Sequence, residues 1–229
     1  MAAEFVHLHV HSQYSFLTSA VKLSDLPGKA KALGMPGVAL TDVGNMYGAI
    51  RHYKGCKKEG LTPLLGAELF IPRGGSRTGA LDHLVLLAEN QEGYKNLVRI
   101  VSEGHLRSAH DYAPAVTLDF ITQRNKGLVA LSGCMAGAVA QRILEQGVDQ
   151  AEPTLAEFRD RFEPGHFFVE LQDHGFPEQP VLSDILLRAA GKLNLPVVAS
   201  NDVHFMTKDD GVAALYLECV GKGRTFAEE

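Results

Sequence analysis

The sequence predicts an α/β fold in which repeated strand-and-helix units form a distorted seven-stranded parallel barrel, a TIM-like (β/α)7 arrangement. Short apolar runs (GVAL, LVLLA, LVALSG and PVVAS) recur between amphipathic helical stretches and end at turn-forming residues. Near-continuous apolar strands suit parallel strands that helices cover on both faces. A doubly wound open sheet is the alternative. It loses support because no GxGxxG follows the first strand.

Strands and helices are expected to alternate along the whole chain. The predicted strands are residues 4–10, 37–42, 62–71, 83–89, 127–133, 166–172 and 196–201. The predicted helices are residues 23–33, 46–59, 91–105, 135–146, 154–161, 179–193 and 208–220. Residues 72–82 (PRGGSRTGALD) are too few and too rich in glycine for a helix, so we expect a mobile surface loop there.

Composition limits the function classes. The 229 residues can bury one large core or two small ones, and a net charge of -5 argues against a whole surface built to grip nucleic acid. Three widely spaced cysteines do not resemble a disulfide framework, so reduced thiols are expected. No apolar run approaches the roughly 18 residues of a membrane span, and the first residues lack a secretion signal. A cytoplasmic protein without a membrane partner is expected.

Histidines and other ligand-type residues fall repeatedly at predicted strand ends, where the active sites of parallel barrels collect. Alternation along the first strand places His7, His9 and His11 on one face. Packing alone rarely explains three imidazoles on one strand, so HxHxH favours a metal site. The further candidate ligands at the strands' ends or starts are Glu68, His83, Cys134, Asp202 and His204.

Several of these candidates have an alternative structural role. His7 lies deeper along its strand and is better suited to supporting a ligand than to binding metal itself. Taken alone, Cys134 would be a small buried apolar residue. Asp202 and His204 could cap the turn before the last helix. Asp42 could equally hold a loop, and His174 lies in a segment expected at the rim of the site.

The mixture of imidazole, carboxylate and thiolate groups indicates a divalent transition metal, zinc or manganese, with magnesium possible. A carboxylate such as Glu68 can bridge two ions, and ions about 3.5–4 Å apart are a common device for phosphoester hydrolysis. The attacking group would then be a metal-activated water, and no side chain is assigned as the catalytic base.

Seven segments in order resemble one family. They are FVHLHVHSQYSFL, GVALTDVGNMYGA, LLGAELF, HLVLLAENQEGYKNLV, GLVALSGC, VELQDHGFPEQ and VVASNDVHF. They are similar to the PHP (polymerase and histidinol phosphatase) family, in the branch at the N-terminus of bacterial DNA polymerase III alpha subunits. The resemblance implies a seven-stranded PHP barrel with up to three metal ions. It implies that the ligands are His9, His11, Glu68, His83, Cys134, Asp202 and His204.

Two positions depart from the family pattern. Polymerase III sequences with a full site usually carry Asp where this chain has Thr18, and His where it has Val43. The resemblance groups these two missing ligands with His204 around the third ion. We therefore expect two ions at most. One would be held by His9, His11, Glu68 and Asp202, and the other by Glu68, His83 and Cys134.

The resemblance implies a replicase domain at residues 1–220, with residues 221–229 beginning a linker to a polymerase body. Its own activity would be metal-dependent phosphodiester hydrolysis of the 3′ to 5′ exonuclease type, impaired by the lost ligands. One alternative is a decayed scaffold that docks the separate proofreading exonuclease subunit. Another is a free-standing phosphatase acting on histidinol phosphate. Expected partners are DNA, reached through the larger polymerase, and the exonuclease and other replicase subunits.

Overall fold

A computed structural model describes residues 5–73, 79–108, 110, 113–133 and 135–226. Within them lie six strands: β1 Gly37–Leu40, β2 Thr62–Pro72, β3 Leu81–Ala88, β4 Leu128–Leu131, β5 Phe167–Leu171 and β6 Val197–Ala199. The helices there are α1 Leu26–Ala32, α2 Ala49–Glu59, α3 Gln91–Arg107, α4 Leu118–Thr122, α5 Ala138–Gln146, α6 Ala151–Arg161, α7 Glu178–Leu193 and α8 Gly211–Lys222. None of the helices in this part of the chain is long and apolar enough to cross a membrane.

The chain divides into two compact units. The first unit comprises residues 1–66 and 202–229, and the second comprises residues 67–201. Along the chain, the boundary between the two units falls within β2, after Gly66. Helix α8 extends past the predicted domain boundary at residue 220, so Gly221 and Lys222 are helical, and the domain boundary and linker stay predictions.

In the first unit, β1 pairs in parallel with the start of β2, from Gly37 opposite Thr62 to Leu40 opposite Leu65. All four residues of β1 are buried. This burial on both faces matches the continuous apolar run of the sequence. The core of the unit is Val10, Val21, Leu23, Leu26, Ala30, Val38, Leu40, Cys56 and Leu61.

The first predicted strand, residues 4–10, is not formed in its described part, residues 5–10. This segment is nevertheless held beside β1, because Ala39 N donates to His7 O at 2.9 Å. The Thr41 side chain then replaces a regular backbone partner: its Oγ1 accepts from Val10 N at 2.8 Å and donates to Val10 O at 3.1 Å. A bond from a side chain to the backbone competes with a strand ladder, and in this segment only a single bridge, from Val10 to Val203, remains.

The second unit corrects the prediction of an all-parallel sheet. Strand β3 pairs antiparallel with β4, with Val85 opposite Leu131, whereas β4–β5 and β5–β6 are parallel. The change of direction begins before β3, because residues 73–80 between the neighbouring strands β2 and β3 are too few for the crossover that joins parallel neighbours. The α/β class is confirmed, and the closed seven-stranded barrel stays a prediction.

Helix α3 is fixed against the turn before β4 by two close contacts. Asn90 caps the helix, and its side chain accepts from the backbone N–H groups of Glu92 and Gly93. A Cβ on Gly93 would lie 1.7 Å from the carbonyl oxygen of Gly127, so only glycine allows this approach. Helix α4, capped by Thr117, was not predicted. The predicted loop at residues 72–82 lies in part outside the described residues, as do residues 227–229 of the predicted linker.

Candidate metal centre

The first unit gathers three of the predicted ligands. One ligand atom from each of His9, His11 and Asp202 lies within 4.8 Å of the other two. Both imidazoles are fully buried, and the Asp202 side chain is 17% exposed. Oδ1 of Asp202 lies 2.9 Å from Nε2 of His11 and 3.4 Å from Nε2 of His9. Two imidazoles and a carboxylate converging on one point form a ligand set that suits zinc or manganese.

His204 joins the same carboxylate oxygen. Its Nε2 lies 3.1 Å from Oδ1 of Asp202, and its ring stacks on that of His11 with centroids 4.3 Å apart. Asp202 itself has a φ of 45°, in the left-handed region, which Asp tolerates better than most residues. Three imidazole nitrogens thus face one carboxylate oxygen.

The proton position on His11 follows from its surroundings. Ser15 Oγ donates its only proton to Asp42 Oδ1 at 2.8 Å and accepts from Val43 N at 3.0 Å. At 3.3 Å from Nδ1 of His11, the same hydroxyl can therefore act only as an acceptor. Nδ1 of His11 carries the proton, and Nε2 presents its lone pair towards Asp202.

The same reasoning applies to His204. Its Nδ1 lies 2.8 Å from the carbonyl oxygen of Thr18, which can only accept, so Nδ1 donates. Nε2 of the neutral ring then also presents a lone pair to Oδ1 of Asp202. At these distances the nitrogen lone pairs and the carboxylate oxygen repel each other unless positive charge lies between them. A divalent cation, or protons on the rings, supplies that charge, so the residues fit a metal ion.

The electrostatics of Asp202 agree with this arrangement. Burial by itself raises the pKa of a carboxyl group. At Asp202, when the rings are protonated on both nitrogens and so supply that positive charge, hydrogen bonds from His11 and His204 and the charge of His9 outweigh burial and hold the pKa well below its usual range. The carboxylate is therefore ionised and available as a ligand throughout the physiological range.

Asp42, predicted as a supporting or rim residue, is buried and organises the loop that follows the histidines. Its Oδ1 accepts from Ser12 N at 2.6 Å, and its Oδ2 accepts from Ser12 Oγ at 2.9 Å. Together with the bond from Ser15, these contacts occupy both carboxylate oxygens. Thr18 and Val43, at the predicted missing-ligand positions, contribute backbone groups here: the Thr18 carbonyl and the Val43 N–H.

The second unit holds a separate pair of predicted ligands. Glu68, buried in β2, places Oε1 2.8 Å from Nδ1 of His83. His83 is the third residue of β3, and because β3 runs antiparallel to β4, the start of β3 lies beside the end of β4. A Cβ on Gly133, just past β4, would meet the His83 carbonyl at 3.0 Å. The strand reversal explains why a ligand-type residue at the start of a strand lies where another strand ends.

The remaining predicted residues fare differently. Cys134 lies outside the described residues. His7 is half-buried, is not part of the cluster, and burial lowers its pKa. His174 is exposed, and both its ring nitrogens have protein partners: Nε2 donates to Asn201 O at 2.7 Å, and Nδ1 lies 3.2 Å from Nε2 of Gln179. The roles of these three residues stay predictions.

Sequence reasoning missed three polar residues. Ser15, which links the His11 ring to Asp42, and Ser12, which donates to Asp42, follow the HxH motif within four residues and could have been suspected from that position. Glu170, buried in β5, was not singled out. Its Oε1 accepts from Ser200 Oγ and from Gln172 Nε2, and its N–H donates to Ser132 Oγ at 2.9 Å. A Glu within an apolar strand was the available signal.

With the fold and the cluster established, comparison with known proteins assigns the class. The PHP domain family matches residues 7–174, so the chain belongs to the PHP family. The chain is also homologous to part of bacterial DNA polymerase III alpha subunits. It is 35% identical over 234 residues to that of Borreliella burgdorferi, covering 99% of this chain and 20% of the relative. It is 38% identical over 224 residues to that of Treponema pallidum, covering 95% of this chain and 19% of the relative. The chain thus spans about a fifth of these relatives.

Solved structures support the fold. A protein described as a metal-dependent phosphoesterase, from Bifidobacterium adolescentis, aligns with a TM-score of 0.60 at 15% identity, covering 97% of this chain and 99% of the other. An amidohydrolase from Chromobacterium violaceum aligns with a TM-score of 0.61 at 14% identity, covering 87% of each chain. At these identities the likeness concerns the fold alone.

Proposed function

We propose that this domain is a metal-dependent phosphoesterase of the 3′ to 5′ exonuclease type, acting within a replicative DNA polymerase. The observation that carries the proposal is the convergence of Nε2 atoms from His9, His11 and His204 on Oδ1 of Asp202. The predicted ligands Glu68 and His83, both in the second unit, would hold a further ion.

Each residue of the cluster has a defined part in this proposal. His9, His11 and Asp202 would hold the ion, and Ser15 and the Thr18 carbonyl keep the Nε2 atoms of His11 and His204 in the ligand form. When bound, a divalent ion would polarise the phosphoester and lower the pKa of a water molecule near it. Burial of both imidazoles keeps bulk water from competing for their lone pairs.

The test measures metal binding and hydrolysis on the same samples. Metal-free protein is titrated with zinc or manganese in a calorimeter and then assayed on a 3′-mismatched primer. We expect Asp202→Ala to lose both binding and hydrolysis, and Asp209→Ala, an exposed acid nearby in sequence, to keep both. Hydrolysis that survives both Asp202→Ala and Glu68→Ala would come from a contaminant and overturn the proposal.

A second candidate function is a docking platform with a weakened site. It is favoured by Thr18 and Val43, whose side chains supply neither the carboxylate nor the imidazole usual at those positions. In this case the domain would hold two ions at most and hydrolyse slowly, and its surface would receive the proofreading exonuclease subunit. Metal analysis after dialysis distinguishes the cases, because three tightly held ions per chain would contradict the weakened site.

The wider assignment follows from the polymerase relatives. We propose that DNA reaches this domain through a larger polymerase chain in the cytoplasm, and that other replicase subunits assemble with it. A free-standing phosphatase acting on histidinol phosphate is the alternative. Comparing hydrolysis of that monoester with hydrolysis of an oligonucleotide separates them, and faster turnover of the monoester would favour the phosphatase.

A further inference from the structure

A basic–aromatic surface covers part of the first unit. Its members have exposed side chains and lie in the loop after the histidines, in the segment just before α2, and in α2 itself. They are Phe16, Lys22, Tyr47, Arg51, Lys54 and Lys58. Arg51, Lys54 and Lys58 are spaced by three and four residues, which places them on one face of α2. Phe16 and Arg51 line the same open groove of about 740 Å³, together with Lys22.

The charge of this surface is not neutralised locally. Helix α2 carries four basic residues and one acid, Glu59, which pairs with Lys31 at 3.1 Å. Among the described residues, Lys22, Arg51 and Lys54 form no ion pair with a carboxylate. In sequence the first unit contains ten basic and ten acidic residues, so the whole net charge of -5 belongs to the second unit. The net charge therefore does not argue against an anionic partner for the first unit.

Two aromatic rings stand open beside these charges. Phe16 is 69% exposed and Tyr47 is 62% exposed, with ring centroids 6.5 Å apart. The residue after Phe16, Leu17, has a φ of 64°, a left-handed conformation that is costly for a branched side chain. Exposed aromatic rings flanked by Lys and Arg are the chemistry that binds single-stranded nucleic acid, since bases stack on rings and phosphates meet cations.

The groove adjoins the candidate metal centre through a shared loop. Ser19, which lines the groove, places its hydroxyl oxygen 2.9 Å from the carbonyl oxygen of His11 and 3.0 Å from that of His204, so its single proton is shared between the two. The neighbouring Thr18 carbonyl accepts from the His204 ring. A strand lying in the groove would therefore pass next to the residues that hold His11 and His204.

We propose that the basic–aromatic surface binds single-stranded nucleic acid, with bases stacked on Phe16 and Tyr47 and phosphates against Lys22, Arg51 and Lys54. The inference deepens the proposed function and rests on it for its biological meaning, because it supplies the path by which a strand end approaches the metal centre. The binding itself needs no metal, so it can be tested alone.

The experiment measures fluorescence anisotropy of a labelled oligothymidylate with the full chain in EDTA, over a range of salt concentrations. Removing two phosphate contacts in Arg51→Ala/Lys54→Ala should make the slope of log K against log salt shallower by about 1.4. Phe16→Ala should weaken binding about tenfold through lost stacking. The matched controls are Lys95→Ala/Arg99→Ala and Phe176→Ala, which remove exposed cations and an exposed ring from the second unit.

The outcomes separate this inference from the function it extends. Equally strong binding in all variants would overturn the proposed surface. Equal competition by polyglutamate at the same total charge would overturn it too, because the surface would then bind any polyanion. Binding in EDTA without any metal-dependent hydrolysis would leave the surface standing and refute the phosphoesterase. Metal-dependent hydrolysis combined with unchanged oligonucleotide affinity in the surface variants would support the phosphoesterase and refute the binding surface.

Discussion

Ser15 fixes the ring of His11 in one tautomer. Its hydroxyl lies 3.3 Å from Nδ1 of His11, while its own proton goes to Asp42 at 2.8 Å. The consequence reaches the opposite side of the ring, where Nε2 presents a lone pair 2.9 Å from Asp202. A buried serine that is not itself a ligand thus determines which nitrogen can bind metal.

Ser15→Ala should weaken metal binding about 10- to 100-fold, because supporting partners of a ligand typically have effects of that size. The reason is that the His11 ring loses the acceptor that selects its tautomer. Calorimetric titration of metal-free protein measures the change, and circular dichroism checks the fold. Ser24→Ala, at an exposed serine of the same unit, should bind like the unaltered protein. Equal affinity in both variants would remove Ser15 from the site.

Arg73→Ala should lower the free energy of unfolding by about 3 kcal/mol, because it leaves the buried carboxylate of Asp82 without its cation. Arg73 Nε lies 2.8 Å and Nη2 2.7 Å from Oδ1 of Asp82, and Nη2 donates to Gln141 at 3.0 Å. Urea unfolding followed by circular dichroism measures the loss.

An apolar replacement of the pair, Arg73→Met/Asp82→Leu, should recover much of that stability, since no buried charge is then left unpaired. Burial raises the pKa of Asp82, and the guanidinium of Arg73 opposes this effect. In Arg73→Ala the Asp82 carboxyl should therefore bind a proton at a higher pH than in the unaltered protein. A double variant as unstable as Arg73→Ala would show that packing, and not the unpaired charge, controls stability.

The free energy of unfolding should fall as the pH drops below 6.5, in part because of His52. Burial lowers the pKa of this imidazole from its ordinary value of 6.5, against the opposing effects of the Val38 hydrogen bond and the Asp42 charge. Below 6.5 the unfolded chain therefore binds a proton that the folded chain does not. This contribution is fully present above pH 6.5 and is lost, by up to about 1.4 kcal/mol per pH unit, as the pH falls towards the lowered pKa.

His52→Gln should reduce the loss of unfolding free energy at acidic pH. It keeps a donor for the Val38 carbonyl, which lies 3.0 Å from Nε2 of His52. Urea unfolding at pH 7.5, 6.5 and 5.5 in EDTA gives the comparison. His105→Gln, at an exposed position of α3, should retain the original pH dependence. Parallel curves for the unaltered protein and His52→Gln would rule out this assignment.

Cys56 should resist alkylation in the folded protein. Its side chain is fully buried, and burial raises the pKa of its thiol to about 11 from an ordinary 9.0. The reactive thiolate is then about a hundredfold scarcer at neutral pH, in addition to being shielded. Iodoacetamide labelling with peptide mass spectrometry should modify Cys56 only in urea, whereas Ser24→Cys should be labelled at once. Rapid native labelling of Cys56 would contradict its burial.

The sequence predicted most elements because their signals are local. The apolar runs at residues 37–42 and 127–133 became β1 and β4, with each end within two residues of its prediction, since continuous burial needs no knowledge of the partner. The prediction of the first strand was wrong because its signal is not local. Whether residues 5–10 join a regular ladder depends on Thr41, more than thirty residues away, whose hydroxyl takes up the backbone groups of Val10.

For the candidate site, the sequence by itself indicated the side chains that the structure brings together: HxH, Asp202 and His204 were singled out by residue chemistry and spacing, and their role as ligands stays a prediction. The tertiary structure alone decided that β3 runs antiparallel to β4, which puts His83 beside Gly133. It also decided that Ser15 and the Thr18 carbonyl set the tautomers of His11 and His204. Hydrogen-bond direction and strand direction depend on atoms brought together from distant parts of the chain, and no local pattern encodes them.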